Sequence, residues 1–404
     1  MQPAIRGLSR SHGPGAGAAI RAGAAASLVG IGLARFAYTP LLPALVDAGW
    51  FAPGAAAYLG AANLAGYLAG ALLARPMAAR APAAHVLRAM MLLAAAAFFA
   101  CALPLSFAWF FAWRFASGYA GGALMALAAP TILPHVPPAR RGLAGGAIFT
   151  GIGLGIAASG TLVPLLLRAG LPATWCGLGT AALLLAAATW RGWPQQSVTA
   201  ASPAATGKRA RPGLALAGLC AEYALNAAGL VPHMVFLVDF VARGLGRGVT
   251  AGAWYWVAYG TGATAGPLLA GWVADRIGFA SALRAAYVVQ AACVGLLAIA
   301  SGAAWIALSS LVVGALTPGI VPLVLGRVHE LLPDPEQRKA AWGWATTAFA
   351  VGQAGAAYAF SFLFARTGDY ALLFVVGAAL PLAALALDLL AQLAPARPSN
   401  RSVR

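Results

Sequence analysis

The sequence predicts an all-α membrane protein of twelve transmembrane helices in two pseudo-symmetric six-helix bundles. Three observations predict it. The 404 residues are 61% hydrophobic and 9% charged, with a mean hydropathy of +0.81, a balance no soluble globular domain shows. Apolar stretches of about 20 residues recur along the chain, each enough to cross ~30 Å of hydrocarbon as a helix. The basic residues between them fall almost entirely on alternate loops. Backbone groups in lipid must bond within the segment, so these stretches read as helices.

The elements follow in order. Residues 1–19 are rich in Gly, Ser and Arg and read as a cytoplasmic tail; the apolar stretch after them is too long for the core of a signal peptide. Span 1 (20–46) carries Arg35, Tyr38, Pro40 and Pro43. Span 2 (55–74) carries Asn63, Gly66 and Gly70, and span 3 (86–106) is almost wholly apolar. Span 4 (108–133) holds Arg114 and Pro130, span 5 (143–168) holds Gly151 and Gly155, and span 6 (171–193) closes a first bundle over 20–193. Residues 194–212 are rich in Ser, Ala, Pro and basic side chains and read as a cytoplasmic linker. A second bundle, 213–393, begins with span 7 (213–241), which carries Glu222, Asn226, Pro232 and His233. Span 8 (252–274) has Tyr259, Gly262 and Gly266, and span 9 (281–300) is mostly apolar. Span 10 (303–327) has Pro318 and Pro322, and span 11 (341–365) has Gly352, Gln353 and Gly355. Span 12 (370–393) precedes a basic tail, 394–404.

A net charge of +17 invites a nucleic-acid reading, but its distribution opposes one. Twenty of the 26 basic residues, from Arg6 to Arg404, fall on one side of the threaded chain. Arg168, Arg243, Arg247 and Arg366 fall on the other, and Arg35 and Arg114 lie within spans. The positive-inside rule then puts both termini in the cytoplasm of a bacterial inner membrane, with the excess charge facing anionic lipid. No basic, aromatic-interleaved groove suggests nucleic acid. Cys101, Cys176, Cys220 and Cys293 are scattered over four spans without ligand spacing, so neither a metal nor another cofactor is expected.

The chain also repeats weakly. Pro43 answers to Pro232 at an offset of about 189 residues, and Pro130 with Pro134 answers to Pro318 with Pro322. Gly70 and Arg75 after span 2 match Gly271 and Arg276 after span 8. Two parallel halves around an axis normal to the membrane are the plan of many secondary transporters. Glycine pairs recur in spans 2, 5, 8 and 11, and such pairs let backbones approach closely. The expectation is that they let two bundles slide past one another.

Specific motifs support a family. Gly271-Trp-Val-Ala-Asp275-Arg276-Ile-Gly278 resembles the G-x-x-x-D-R-x-G loop signature of the major facilitator superfamily, and Arg114-Phe-Ala-Ser-Gly118-Tyr-Ala-Gly-Gly122 is similar to its R-x-x-x-G-x-x-x-G pattern. In the first half Ala74 stands where the signature has Asp. Gly32-Leu-Ala-Arg35-Phe-Ala-Tyr38-Thr-Pro40-Leu-Leu-Pro43, Tyr223-Ala-Leu-Asn226 and Val231-Pro-His233 resemble the YbfB/YjiJ-type transporters. The resemblance covers nearly the whole chain. It implies the major facilitator fold, alternating access, a cavity lined by spans 1, 4, 7 and 10, and a charge latch involving Arg75, Gly271, Asp275 and Arg276. Span 5 lacks the G-x-x-x-G-P-x-x-G-G run of drug–proton antiporters, because Ile156 follows Gly155.

Few residues remain to do work inside. Lys208 and Lys339 are the only lysines, and neither follows a phosphate-binding glycine run, so an ion gradient rather than ATP is the expected drive. Ionisable groups at depth are costly and usually functional. Counting along the helices, Arg35 lies roughly 20 Å from the cytoplasmic edge, Arg114 about 9 Å below the external face and Glu222 about 13 Å in from the cytoplasm. Two cations with one acid favour an anionic solute such as a carboxylate, which a guanidinium grips with two donors. Arg35 is the expected anion contact; pairing with Glu222, or bonding to carbonyls freed near Pro40, stays open. Arg114 is read either as a second contact or as a packing and gating residue. Glu222, helped by His233, is the expected proton-coupling site. Tyr38, Asn63, Asn226, Tyr259 and Gln353 are the uncharged groups expected to orient a ligand, and Pro40, Pro43, Pro232, Pro318 and Pro322 are expected helix breaks.

These readings predict a secondary active transporter, acting as a monomer, that moves a small organic solute, expected to be an anion, by proton symport. Proton-driven efflux is the alternative within the class, and a non-transporting membrane receptor or sensor is the alternative outside it. No nucleophile–base arrangement suggests an enzyme.

Overall fold

The structure, a computed structural model, describes residues 15–137, 141–194 and 214–393. The expected linker, apart from Pro194 at its start, most of the N-terminal tail and the C-terminal tail lie outside these residues. All regular elements among the described residues are helical. They are α1 (Ala16–Asp47), α2 (Pro53–Arg80), α3 (Ala83–Cys101), α4 (Phe107–Ile132), α5 (Arg141–Leu167), α6 (Leu171–Ala188), α7 (Leu214–Gly244), α8 (Gly248–Ile277), α9 (Phe279–Ile299), α10 (Ala303–Leu331), α11 (Pro335–Thr367) and α12 (Tyr370–Leu393). Eleven are long and apolar enough to cross a membrane. The remaining one, α8, has 30 residues but is diluted by Gly, Thr, Tyr and Trp.

Two of the helices are irregular, and they are pseudo-equivalent. In α1 a π-helical turn, Leu28–Leu33, and a bend at 34–37 separate Ala16–Ser27 from Tyr38–Asp47. In α7, π-helical segments Pro232–Phe236 and Phe240–Gly244 follow Leu214–Gly229. Pro40, Pro43 and Pro232 remove backbone donors in these stretches, so neighbouring carbonyls lose their usual partner. Pro318 and Pro322 behave differently from the sequence reading. The α-helix Ala303–Leu331 runs through both, as Tyr38–Asp47 runs through Pro43, because helix neighbours in a bundle accommodate the missing donors.

The glycine pairs also need correction. A Cβ at Gly66 or Gly70 would collide with the backbone of Phe115 or Tyr119 on α4; at Gly262 or Gly266 it would collide with Leu311 or Ala315 on α10. Gly151 likewise abuts Ala24 of α1 and Gly352 abuts Ala224 of α7, while a Cβ at Gly355 would meet nothing. These pairs therefore seal helices inside one bundle, α2 on α4 and α5 on α1, and the second bundle repeats the scheme with α8 on α10 and α11 on α7. Close backbone approach is a main source of helix association where lipid offers no hydrophobic drive.

The bundles meet along α2 with α11 and α5 with α8. Along α5 and α8 the contact descends in rungs: Gly160 against Ala253 and Val257, Ala157 against Gly260, and Gly153 against Thr264. Two turns further along both helices the same register would pair Gly146 with Gly271, and neither has a neighbour. On the other seam Gly54 abuts Ala365 and Tyr58 lies 6.3 Å from Tyr358, ring to ring. Contact thus closes the end distal to Arg75 and Arg276 and parts toward the Arg-rich end. The buried core divides accordingly. One cluster joins the first bundle to the closed end of the second; a separate one, including Leu219, Leu283, Ile320 and Ala345, fills the Arg-rich half of the second bundle alone.

Candidate functional site

Where the bundles begin to part, Arg35 bridges them. Its Nη2 donates to Oε1 of Gln353 on α11 and lies 3.9 Å from the sulfur of Met234 on α7. The guanidinium sits 5.2 Å from the centre of the Phe36 ring and 5.3 Å from that of Tyr67, close enough for cation–π attraction. Arg35 is half-buried, and its Nε finds no partner among the described residues. Gln353 is fixed in turn by a 3.2 Å contact from Nε2 to the Met234 sulfur. Opposite stands an aromatic wall. Trp256 and Tyr259 stack with centroids 4.7 Å apart, Phe36 packs on Trp256 at 5.8 Å, and Tyr259 bonds Thr317 at 2.5 Å. Trp256 also donates to Ser159 of the first bundle at 3.0 Å. It is thus a cross-bundle packing residue, while Trp254 is exposed on the outer surface.

Arg35, Tyr259 and Gln353 are therefore brought together; other candidates are not. Arg114 is fully buried inside the first bundle, with Nη1 on the Ala34 carbonyl at 2.9 Å and its guanidinium 4.3 Å from the Tyr38 ring centre. Asn63 donates to the same carbonyl at 3.3 Å and to the Arg114 carbonyl at 3.2 Å, and Ser117 adds a third donor on Ala34 at 3.1 Å. Tyr38 donates to the Ala56 carbonyl at 2.7 Å. The bend after the α1 π-turn frees the Ala34 carbonyl, and these side chains satisfy it. A buried carbonyl left unpaired costs about 1–3 kcal/mol, so their task in this conformation is to hold the bend. The packing reading of Arg114 is the one its surroundings fit.

Glu222 does not meet Arg35. It faces into its own bundle, within electrostatic range of Arg284 on α9, Arg327 on α10 and Asp388 on α12. Asn226, one turn on, donates to Oε1 of Gln290 on α9. His233 continues the same face and bonds Ser309 of α10 at 2.7 Å. Both are completely buried. Asp239 is buried, held by Arg243 at 2.5 and 2.8 Å and by the Tyr370 hydroxyl at 2.5 Å. Asp388 pairs with Arg284, and Asp47 is exposed. The loop motif is apart in this conformation. Asp275 is exposed and forms no ion pair among the described residues, Arg276 stacks on Trp272 at 3.5 Å, and Arg75 is exposed.

Sequence reading missed Tyr67, Met234, Phe36, Gln290 and Ser309. A signal existed for Tyr67, which lies one helical turn after Asn63. None existed for Met234, whose role depends on which way a π-helical segment turns it.

Comparison with known proteins fits this architecture. In structure the chain is similar to the nucleoside transporter NupG, in a mutant form, with a TM-score of 0.76 at 13% identity, covering 92% of this chain and 99% of that one. It is also similar to a D-xylose–proton symporter, with a TM-score of 0.70 at 15% identity, covering 91% and 96%. No curated protein matches in sequence. At these identities the likeness establishes the fold, that of major facilitator transporters. The sequence profile described as "Uncharacterised MFS-type transporter YbfB" matches residues 27–389, and the chain, a multi-pass membrane protein, accordingly belongs to that family of transporters.

Proposed function

We propose that this transporter moves a small organic anion, a carboxylate, together with protons across a bacterial inner membrane by rocking of its two bundles. One observation carries the reading: Arg35 stands at the bundle interface with no carboxylate in ion-pair range among the described residues. Its neighbours are an amide, a thioether and two aromatic faces. A cation so placed is costly unless an anion visits it. A carboxylate would take two donors from the guanidinium and compete with Gln353 for it. Because Gln353 belongs to the other bundle, substrate binding and the contact between bundles would be coupled.

Proton coupling is supported by the separate placement of Glu222, buried beside two cations and one acid in the second bundle, and by the fold shared with a proton symporter. The test is counterflow in proteoliposomes with a panel of radiolabelled mono- and dicarboxylates, alongside neutral sugars and nucleosides, with and without an imposed pH gradient. Carboxylate exchange that turns into uphill uptake when the outside is acid supports the reading. Exchange of neutral solutes only removes the anion assignment, and accumulation against an outward alkaline gradient would convert symport to efflux.

A further inference from the structure

A line of polar side chains runs through the interior of the second bundle, on the face of α7 turned away from Arg35. Glu222 stands at its Arg-rich end, within electrostatic range of Arg284 and Tyr287 of α9, Arg327 of α10 and Asp388 of α12. One turn further, Asn226 is bonded to Gln290, whose Nε2 returns to the Asn226 carbonyl at 3.2 Å. Beyond comes His233, bonded to Ser309, which donates to the Cys293 carbonyl at 2.6 Å. Asn226 and His233 are held on this face by their bonds to Gln290 and Ser309, on either side of the start of the π-helical segment at Pro232. The next residue, Met234, points the other way, to Arg35 and Gln353.

The line is polar but not self-sufficient. Oδ1 of Asn226, Nδ1 of His233 and the Tyr287 hydroxyl are buried without a partner among the described residues. Buried polar atoms in native proteins are almost always satisfied, by protein or by water. Three such atoms along one seam, within about 16 Å of helix, outline water positions better than three independent defects. Past His233 the polarity stops. Phe374 lies edge-on to the imidazole at 5.4 Å and to Phe240 at 5.1 Å. On the far side of these rings Asp239 is already occupied by Arg243 and Tyr370.

We propose that the interior of the second bundle holds a water-lined proton passage from Glu222 to His233, separate from the carboxylate site at Arg35 and stopped on its far side by Phe374 and Phe240. A proton entering from the Arg-rich end would pass between Glu222, water and the Asn226–Gln290 pair to Nδ1 of His233, each step breaking one O–H or N–H bond as the next forms. The coupling role of this passage rests on the symport reading above; its hydration and conduction do not.

Two experiments on the full chain in proteoliposomes test it, neither needing the solute. The first is radiolytic hydroxyl-radical footprinting, which oxidises side chains beside ordered water. Tyr287 and His233 should label several-fold faster than Tyr259 and Phe98, which are equally buried elsewhere. Equal labelling overturns the proposal. The second loads the vesicles with a pH-sensitive dye and imposes a potassium diffusion potential. The wild type should hold protons, Phe374→Ala should leak them, and Glu222→Gln placed in that background should stop the leak. A tight Phe374→Ala protein whose Tyr287 labelling matches wild type overturns conduction, as does a leak indifferent to Glu222→Gln. Failure of carboxylate counterflow would bear on Arg35 instead, leaving both readouts here intact.

Discussion

Arg35 and Gln353, 318 positions apart in sequence, share one hydrogen bond across the seam between the two bundles. One end of that bond is a cation with no carboxylate in ion-pair range among the described residues. The other is an amide that can hold it only while the bundles are in contact at this level. Arg35→Ala is expected to abolish carboxylate counterflow, and Arg35→Lys to retain only a small part of it, since an ammonium lacks the two-pronged geometry. Insertion, followed by fluorescence of a tagged protein, should be unchanged. Wild-type exchange in the alanine variant would end the anion assignment.

Glu222 lies inside the second bundle, away from Arg35, so on the proposed symport reading its removal should separate two activities. Glu222→Gln is expected to keep equilibrium exchange near the wild-type rate while losing accumulation driven by an acid exterior. The check is paired counterflow and gradient-driven uptake on the same vesicles. Undiminished uphill uptake would show that protons are coupled elsewhere.

The bend in α1 rests on donors to the Ala34 carbonyl. Arg114→Leu removes one donor and leaves Tyr38 without its cation–π partner; Asn63→Leu removes another. Each is expected to destabilise the protein by about 1–3 kcal/mol, read as a lower unfolding temperature in detergent. A double variant should cost less than the sum, because both act on one acceptor. Strict additivity would mean the two side chains do separate jobs.

Gly66 and Gly262 occupy equivalent seals, on α4 and α10. Gly66→Ala and Gly262→Ala should each cost about 1–3 kcal/mol or more through overpacking against backbone that cannot retreat, whereas Gly271→Ala, with nothing near it, should be close to neutral. Thermal unfolding of the three variants decides. If Gly271→Ala proved as harmful, the parted end would be closed in the dominant state.

The seam itself can be trapped. Gly54→Cys with Ala365→Cys, in a background lacking the natural cysteines, should cross-link readily at the closed end and arrest exchange, reversibly on reduction. Gly146→Cys with Gly271→Cys should cross-link slowly, since the structure holds their surroundings apart. Rapid linkage of the second pair and none of the first would place the molecule mostly in the opposite state.

Much of this architecture was written in hydropathy and charge. A span of apolar residues must be a helix in lipid whatever its neighbours do, so the twelve helices and their all-α class followed from local sequence. The weak repeat of Pro43 with Pro232 marked the two irregular helices, and Arg35 stood out because a charge at depth is rare. What a side chain faces is a different matter. Helical periodicity cannot say which of several neighbouring helices a polar face meets, nor can it follow a face through the π-helical turns of α1 and α7 that shift the register. Only the tertiary structure turned Met234 toward Arg35 and His233 toward Ser309, sent Glu222 into its own bundle, and spent Arg114 and Asn63 on a single freed carbonyl. It also decided that the paired glycines seal helices within each half rather than grease the joint between them, because backbone proximity is set by packing geometry and not by the residues of one helix alone.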